Sequence, residues 1–82
     1  MTSAEILNEV NRIFIEQLEN ENIILSRAST ADDIEEWDSL THIQLIVAIE
    51  KHFNTRFTSA EIQNFRNVGE MCDALEKKNL SK

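Results

Sequence analysis

The chain has no proline and a single glycine in 82 residues. Tight β-turns draw heavily on those two residues, so their scarcity disfavours a turn-rich β fold. One cysteine, Cys72, rules out an internal disulfide. Bases are also scarce, with 8 lysines and arginines against 15 acids and a formal charge of −7. Nucleic-acid binding needs a basic footprint, so this balance argues against it. There is no 18-residue apolar run and no signal-peptide core, which excludes membrane insertion by a helix and leads to the expectation of a cytoplasmic, monomeric protein. A chain this short supports one domain with a modest core and no roomy catalytic pocket.

What is present is helical. Ile6, Leu7, Val10, Ile13, Phe14 and Leu18 recur at spacings of three and four, which places them on one apolar face of a first helix. Thr2 and Glu5 have capping-box spacing ahead of it. The polar run from Glu19 to Asn22 ends the pattern. Residues 19–36 then lack a sustained period, yet Ile23, Ile24, Leu25 and Ile34 are too apolar for a free linker. This stretch is expected to be a long loop pinned to the core, or one hiding a short helical turn capped by Thr30 and Asp33. It closes on five carboxylates between Asp32 and Asp38, which suit the positive end of a helix dipole.

A second helix is expected from Ser39 to His52 or Phe53, with Asp38 as N-cap. Phe57 reads as a core anchor. Thr58 and Glu61 repeat the capping-box spacing before a short third helix carrying Ile62 and Phe65. Asn67 and Glu70 open a fourth helix through Val68, Met71, Cys72 and Leu75, where Lys77 and Lys78 suit the negative end of the dipole. The expected fold class is therefore all-α, with four helices.

The second helix has two apolar stripes. At about 100° per residue, Leu45, Ile46, Ile49 and Phe53 form one sector. Leu40, Ile43 and Val47 form another, about 120–140° away. Glu50 lies between them on one side, and Gln44, Ala48 and Lys51 on the other. One stripe must face the core. The other is either wrapped by the long loop or left open as a docking strip.

Ser39 stands where the acidic segment meets this helix. As a nucleophile it would have His42 nearby, but nothing resembles G-x-S-x-G and no oxyanion-hole element is visible. Metal chemistry is no better supported. His42 and His52 are ten residues apart, and the acidic run lacks the glycine and terminal glutamate of an EF-hand. Cys72 falls in the apolar pattern of its helix as a buried thiol, and Trp37 reads as a loop-packing residue. Ser39 is either an ordinary first-turn residue or the acceptor of a phosphate ester, an anion that a helix N-terminus favours.

The stretch Glu36-Trp37-Asp38-Ser39-Leu40-Thr41-His42-Ile43-Gln44-Leu45-Ile46-Val47-Ala48-Ile49-Glu50-Lys51-His52-Phe53 resembles the Asp-Ser-Leu region of acyl carrier proteins. The likeness continues through Phe57, the short third helix and Val68. It implies a four-helix bundle of acyl-carrier type spanning 1–82, with a long loop between the first two helices. It also implies no catalytic residues, with Ser39 receiving 4′-phosphopantetheine from coenzyme A through a phosphopantetheinyl transferase that supplies the Mg²⁺. The arm's thiol would hold acyl groups as thioesters for an acyl-loading ligase and acyl-using enzymes. On the same resemblance, Asp38 would cap the helix and help the transferase recognise the site. Leu40, Ile43 and Val47 would form the partner-facing strip, and Glu50 would contact basic partner surfaces. Carriers of general fatty acid synthesis have a glycine-containing approach to Asp-Ser-Leu and a strongly acidic second helix. Here Glu36-Trp37 occupies the approach, Gln44 stands in place of an acid, and Thr41, His42, Lys51 and His52 dilute the charge. These departures imply a dedicated pathway. The alternatives are an aminoacyl, D-alanyl or peptidyl carrier, and an unmodified helical module that binds other proteins.

Overall fold

A computed structural model describes residues 2–80. Four helices follow one another: α1 (Ser3–Leu18), α2 (Ser39–Phe53), α3 (Ser59–Asn64) and α4 (Val68–Leu80). Each helix expected from sequence forms, and among the described residues there is no strand. The capping box at Thr2 is complete. Its Oγ1 accepts the Glu5 N–H at 3.2 Å, and Glu5 Oε1 accepts the Thr2 N–H at 3.0 Å, so two donors that the helix leaves unpaired are satisfied reciprocally. α1 stops at Glu19 and α2 at Asn54, both in the left-handed conformation with φ of 53° and 52°. Asparagine tolerates that region well, and its N–H closes onto the Glu50 carbonyl.

α1 packs against both α2 and α4. Ile6, Val10 and Phe14 meet Leu45 and Ile49 of α2, with Val68, Met71, Cys72 and Leu75 of α4, in a core where all nine are essentially inaccessible to solvent. Phe57 is buried as expected, edge-on to Phe65 at 5.1 Å and under the Lys78 ammonium at 5.5 Å. His52 Nε2 lies 2.9 Å from Glu9 Oε2, a link between the end of α2 and α1.

The segment between α1 and α2 is a series of turns with no helix of its own. The Thr30–Asp33 pair closes one of them, Asp33 Oδ2 accepting the Thr30 N–H at 3.0 Å. Ile23, Leu25, Ile34 and Trp37 are buried. Ile24 departs from expectation: it is 88% exposed, because Asn11 of α1 clamps the backbone on either side of it. The Asn11 amide donates to the Ile23 carbonyl at 3.3 Å, and its Oδ1 accepts the Leu25 N–H at 2.6 Å. With Ile23 and Leu25 turned inward, an extended chain must turn the residue between them outward.

The same loop caps α4. Val68 N–H donates to the Ser29 carbonyl at 2.9 Å and Gly69 N–H to the Arg27 carbonyl at 2.8 Å, which satisfies two of the donors left free at a helix start. This close approach accounts for the chain's one glycine, since a Cβ at position 69 would sit 2.8 Å from the Arg27 carbonyl oxygen.

Three substitutions test this packing. Gly69→Ala, which in an open helix interior gains about 1 kcal/mol, is expected to lower stability in urea unfolding, because overpacking against a backbone atom costs about 1–3 kcal/mol. Ile49→Ala should cost about 2–5 kcal/mol, while Val47→Glu, on the 43% exposed side of the same helix, should leave the melting temperature almost unchanged.

Candidate functional site

The second stripe of α2 is open. Leu40 is 84% exposed, Ile43 53% and Val47 43%, whereas Leu45, Ile46, Ile49 and Phe53 are buried. The loop does not wrap the outer stripe. At its upper end Ser39 is exposed as the first residue of α2.

The N-terminus of α2 is built by Asp38 and Thr41. Asp38 Oδ1 accepts the N–H groups of Leu40 at 2.9 Å and Thr41 at 3.0 Å, and Thr41 Oγ1 accepts the Asp38 N–H at 2.8 Å. Thr41 also donates to the Glu36 carbonyl at 2.7 Å, so the hydroxyl at this position anchors the chain entering the helix. Sequence reading missed Thr41, although a hydroxyl three residues after an N-cap was a legible signal. The Thr41 and Leu40 N–H bonds hold the Asp38 carboxyl below its ordinary range. They also occupy the donors that a phosphate on Ser39 would otherwise attract, leaving the helix dipole to favour an anion there.

Two other carboxylates of the acidic run bond within the loop: Asp33 closes the Thr30 turn and Glu36 Oε2 accepts from the Asn20 amide at 2.9 Å. Glu50 is half-buried, and its Oε2 accepts the Phe57 N–H at 2.8 Å, so one of its oxygens is committed to holding the connector to α3. Gln44 reaches across to Gln17 Oε1 of α1 at 3.0 Å.

Trp37 is buried, its ring edge-on to Phe14 at 5.0 Å. Its indole N–H donates to His42 Nδ1 at 3.0 Å, and the two rings lie edge to edge, with centroids 6.0 Å apart and planes within 17° of each other. Both ring nitrogens of His42 are thus engaged, Nδ1 by Trp37 and Nε2 by the Ile62 carbonyl at 3.3 Å. Among the described residues no group of three potential ligands could hold a metal ion, and no helix is long and apolar enough to cross a membrane. Cys72 is buried in α4, and burial pushes its thiol up to about 11.

Next to Ser39 lies a groove of about 550 Å³, a size within the range of small-molecule sites. Ser39, His42 and Ile43 line it from α2, Asp38 from the cap before it, and Ile62, Phe65 and Arg66 from the α3 side. An exposed hydroxyl, an apolar trough beside it and one arginine along the trough together fit a phosphate-linked, largely uncharged chain attached at Ser39.

Comparison with known proteins agrees with this chemistry. A family profile described as "Phosphopantetheine attachment site" matches residues 13–75. The acyl carrier protein of Buchnera aphidicola is 32% identical over 78 residues, covering 94% of this chain and 96% of that protein. The acyl carrier protein of Thermosynechococcus vestitus is 30% identical over 79 residues, covering 95% of this chain and 96% of its own. Among solved structures, the holo acyl carrier protein of Geobacter metallireducens superposes with a TM-score of 0.87 at 37% identity, covering 93% of this chain and 87% of that one.

The Asp38 cap makes a pH-dependent prediction. A carboxyl whose folded-state pKa is lowered stabilises the fold fully above its ordinary value of 3.8 and loses that effect as pH falls through the lower folded-state value. Asp38→Ala should therefore melt below the wild type at pH 7, with the gap closing below about pH 4. Asp38→Asn, still a good cap, should remain close to the wild type at neutral pH.

Proposed function

Because this chain belongs to the acyl carrier protein family, we propose that Ser39 is the residue that bears its arm and that 1–82 acts as one carrier domain. The family's role is that of a carrier and not a catalyst, and its cofactor is covalently attached 4′-phosphopantetheine. The observation that carries the proposal is the exposed Ser39 hydroxyl on the first turn of α2, between an open apolar strip and a groove large enough for an arm. Ile43, Ile62, Phe65 and Arg66 are the residues that would hold the arm there. When attached, the arm supplies a thiol on which acyl groups ride as thioesters, and tethering raises their effective concentration at a docked enzyme.

Leu40, Ile43 and Val47 form the strip that the phosphopantetheinyl transferase, the loading ligase and the acyl-using enzymes grip. Asp38 marks its upper end, and the second carboxylate oxygen of Glu50 offers a contact to basic partner surfaces. Charges of this kind steer encounter, and the apolar strip supplies close contact. The pathway is a dedicated one in the cytoplasm, such as polyketide, nonribosomal-peptide-like or cell-surface-glycan acyl transfer. What supports this finer reading is α2 itself, whose one acid is Glu50, and the Trp37–His42 pair in the approach to Ser39.

Co-expression with a broad-specificity phosphopantetheinyl transferase should raise the intact mass by one phosphopantetheinyl group, and Ser39→Ala should abolish the gain. Thiol titration gives an independent count. The native apo-protein should show no fast-reacting thiol because Cys72 is buried, and the modified protein should show one. Unmodified wild-type protein would rule out the carrier reading, and modification that survives Ser39→Ala would rule out the site. Loading trials with acyl and aminoacyl ligases then identify the cargo.

A further inference from the structure

α3 has six residues and buries none of them fully; only Ile62 and, just past its end, Phe65 pack against the core, so a helix this short depends on further contacts at its two ends. Its start is secured by the Thr58–Glu61 capping box, and Glu61 also pairs with Lys78 of α4 at 3.1 Å. Its end lacks a helical continuation. The Arg66 N–H, which would otherwise extend the helix onto the Ile62 carbonyl, donates to Glu70 Oε1 at 2.8 Å. The Ile62 carbonyl is met by His42 Nε2 of α2 at 3.3 Å.

The other ring nitrogen decides the direction of that bond. Indole N–H only donates, so the Trp37 bond requires His42 Nδ1 to accept and leaves the ring hydrogen on Nε2. His42 Nε2–H therefore donates to Ile62, satisfying one of the carbonyls that every helix end leaves open. Trp37 is held by Phe14 of α1, so a chain of contacts runs from α1 through the loop and α2 to the end of α3. α3 supplies the far wall of the groove beside Ser39.

We infer that Trp37 and His42 form a latch in which Trp37 sets the tautomer of His42, and His42, as a positioning residue, fixes the end of α3 so that the groove beside Ser39 keeps its shape. In its functional half, which rests on the assignment of Ser39, the latch positions α3 for the enzyme that attaches the arm.

The test uses the apo-protein and two variants that separate the ring's two bonds. Asparagine at position 42 offers an acceptor near the place of Nδ1 but cannot reach Ile62, whereas glutamine extends a donor towards Ile62. In NMR of the isotopically labelled protein, the single Trp37 indole resonance and the {¹H}-¹⁵N NOE values of residues 59–66 are read together. His42→Asn should lower the NOE values of 59–66 and move their Cα shifts towards coil, with α1, α2 and α4 unchanged. His42→Gln should restore most of the order in α3. Kinetics with the same transferase should show KM for the apo-protein raised severalfold in His42→Asn, partly recovered in His42→Gln, with kcat unchanged. Order in 59–66 that is indifferent to both substitutions would overturn the latch, and so would global unfolding of both variants, which would make His42 a core residue. If Ser39 proves not to be modified at all, the NMR result still decides the latch, and only its functional half fails with the site.

Discussion

A buried indole must place its N–H on an acceptor, and much of the arrangement around Ser39 follows from how Trp37 meets that demand. Its ring fills the space beside Phe14, where burial of a large aromatic surface is strongly favourable. Its N–H would be costly to leave unpaired there. His42, one turn into α2, is the acceptor. That choice orients the imidazole, joins the loop to α2 and turns the second ring nitrogen to α3. One constraint inside the core thus reaches the surface where the candidate attachment residue stands.

The long loop raises the same problem at larger scale. The residues between Leu18 and Ser39, without regular structure, carry many backbone polar groups, and those near the core need partners. Asn11 satisfies two of them, and the start of α4 uses two more, the carbonyls of Arg27 and Ser29. Loop and bundle are therefore mutually dependent: the loop caps α4, and α1 and α4 hold the loop. Gly69 is required where these backbones approach most closely. The result is a firm platform under Asp38 and Ser39 despite the absence of helix before them.

Much of this was legible in the sequence because it depends on local periodicity. The four helices, the caps at Thr2, Asp38 and Thr58, and the two stripes of α2 rest on spacings of two, three and four residues, and all stand in the structure. The contacts that set loop geometry were not legible. Nothing near Asn11 announces a clamp on Ile23 and Leu25, so Ile24 looked like a third anchor, yet it faces solvent. The carboxylates from Asp32 to Glu36 looked like helix-start charges as a group, whereas pairing across 16 residues assigns Glu36 to Asn20. The Trp37–His42 bond had a legible half, since both residues were conspicuous, but their meeting depends on the turn at Asp38. Sequence separation hid the partner of His42, for Ile62 lies 20 residues on.

The proposal that the arm sits on Ser39, and on no other hydroxyl of this surface, is tested by fragmentation mass spectrometry of the tryptic peptide spanning residues 28–51 from the modified protein. This peptide contains Ser29, Thr30, Ser39 and Thr41. Fragment ions should place the phosphopantetheinyl group on Ser39 alone. The Ser29 side chain is buried, with its Oγ accepting the Ser26 N–H, and the Thr41 hydroxyl is bonded within the α2 cap. A modified peptide bearing the group on Ser29, Thr30 or Thr41, or a group found outside this peptide, would contradict the claim.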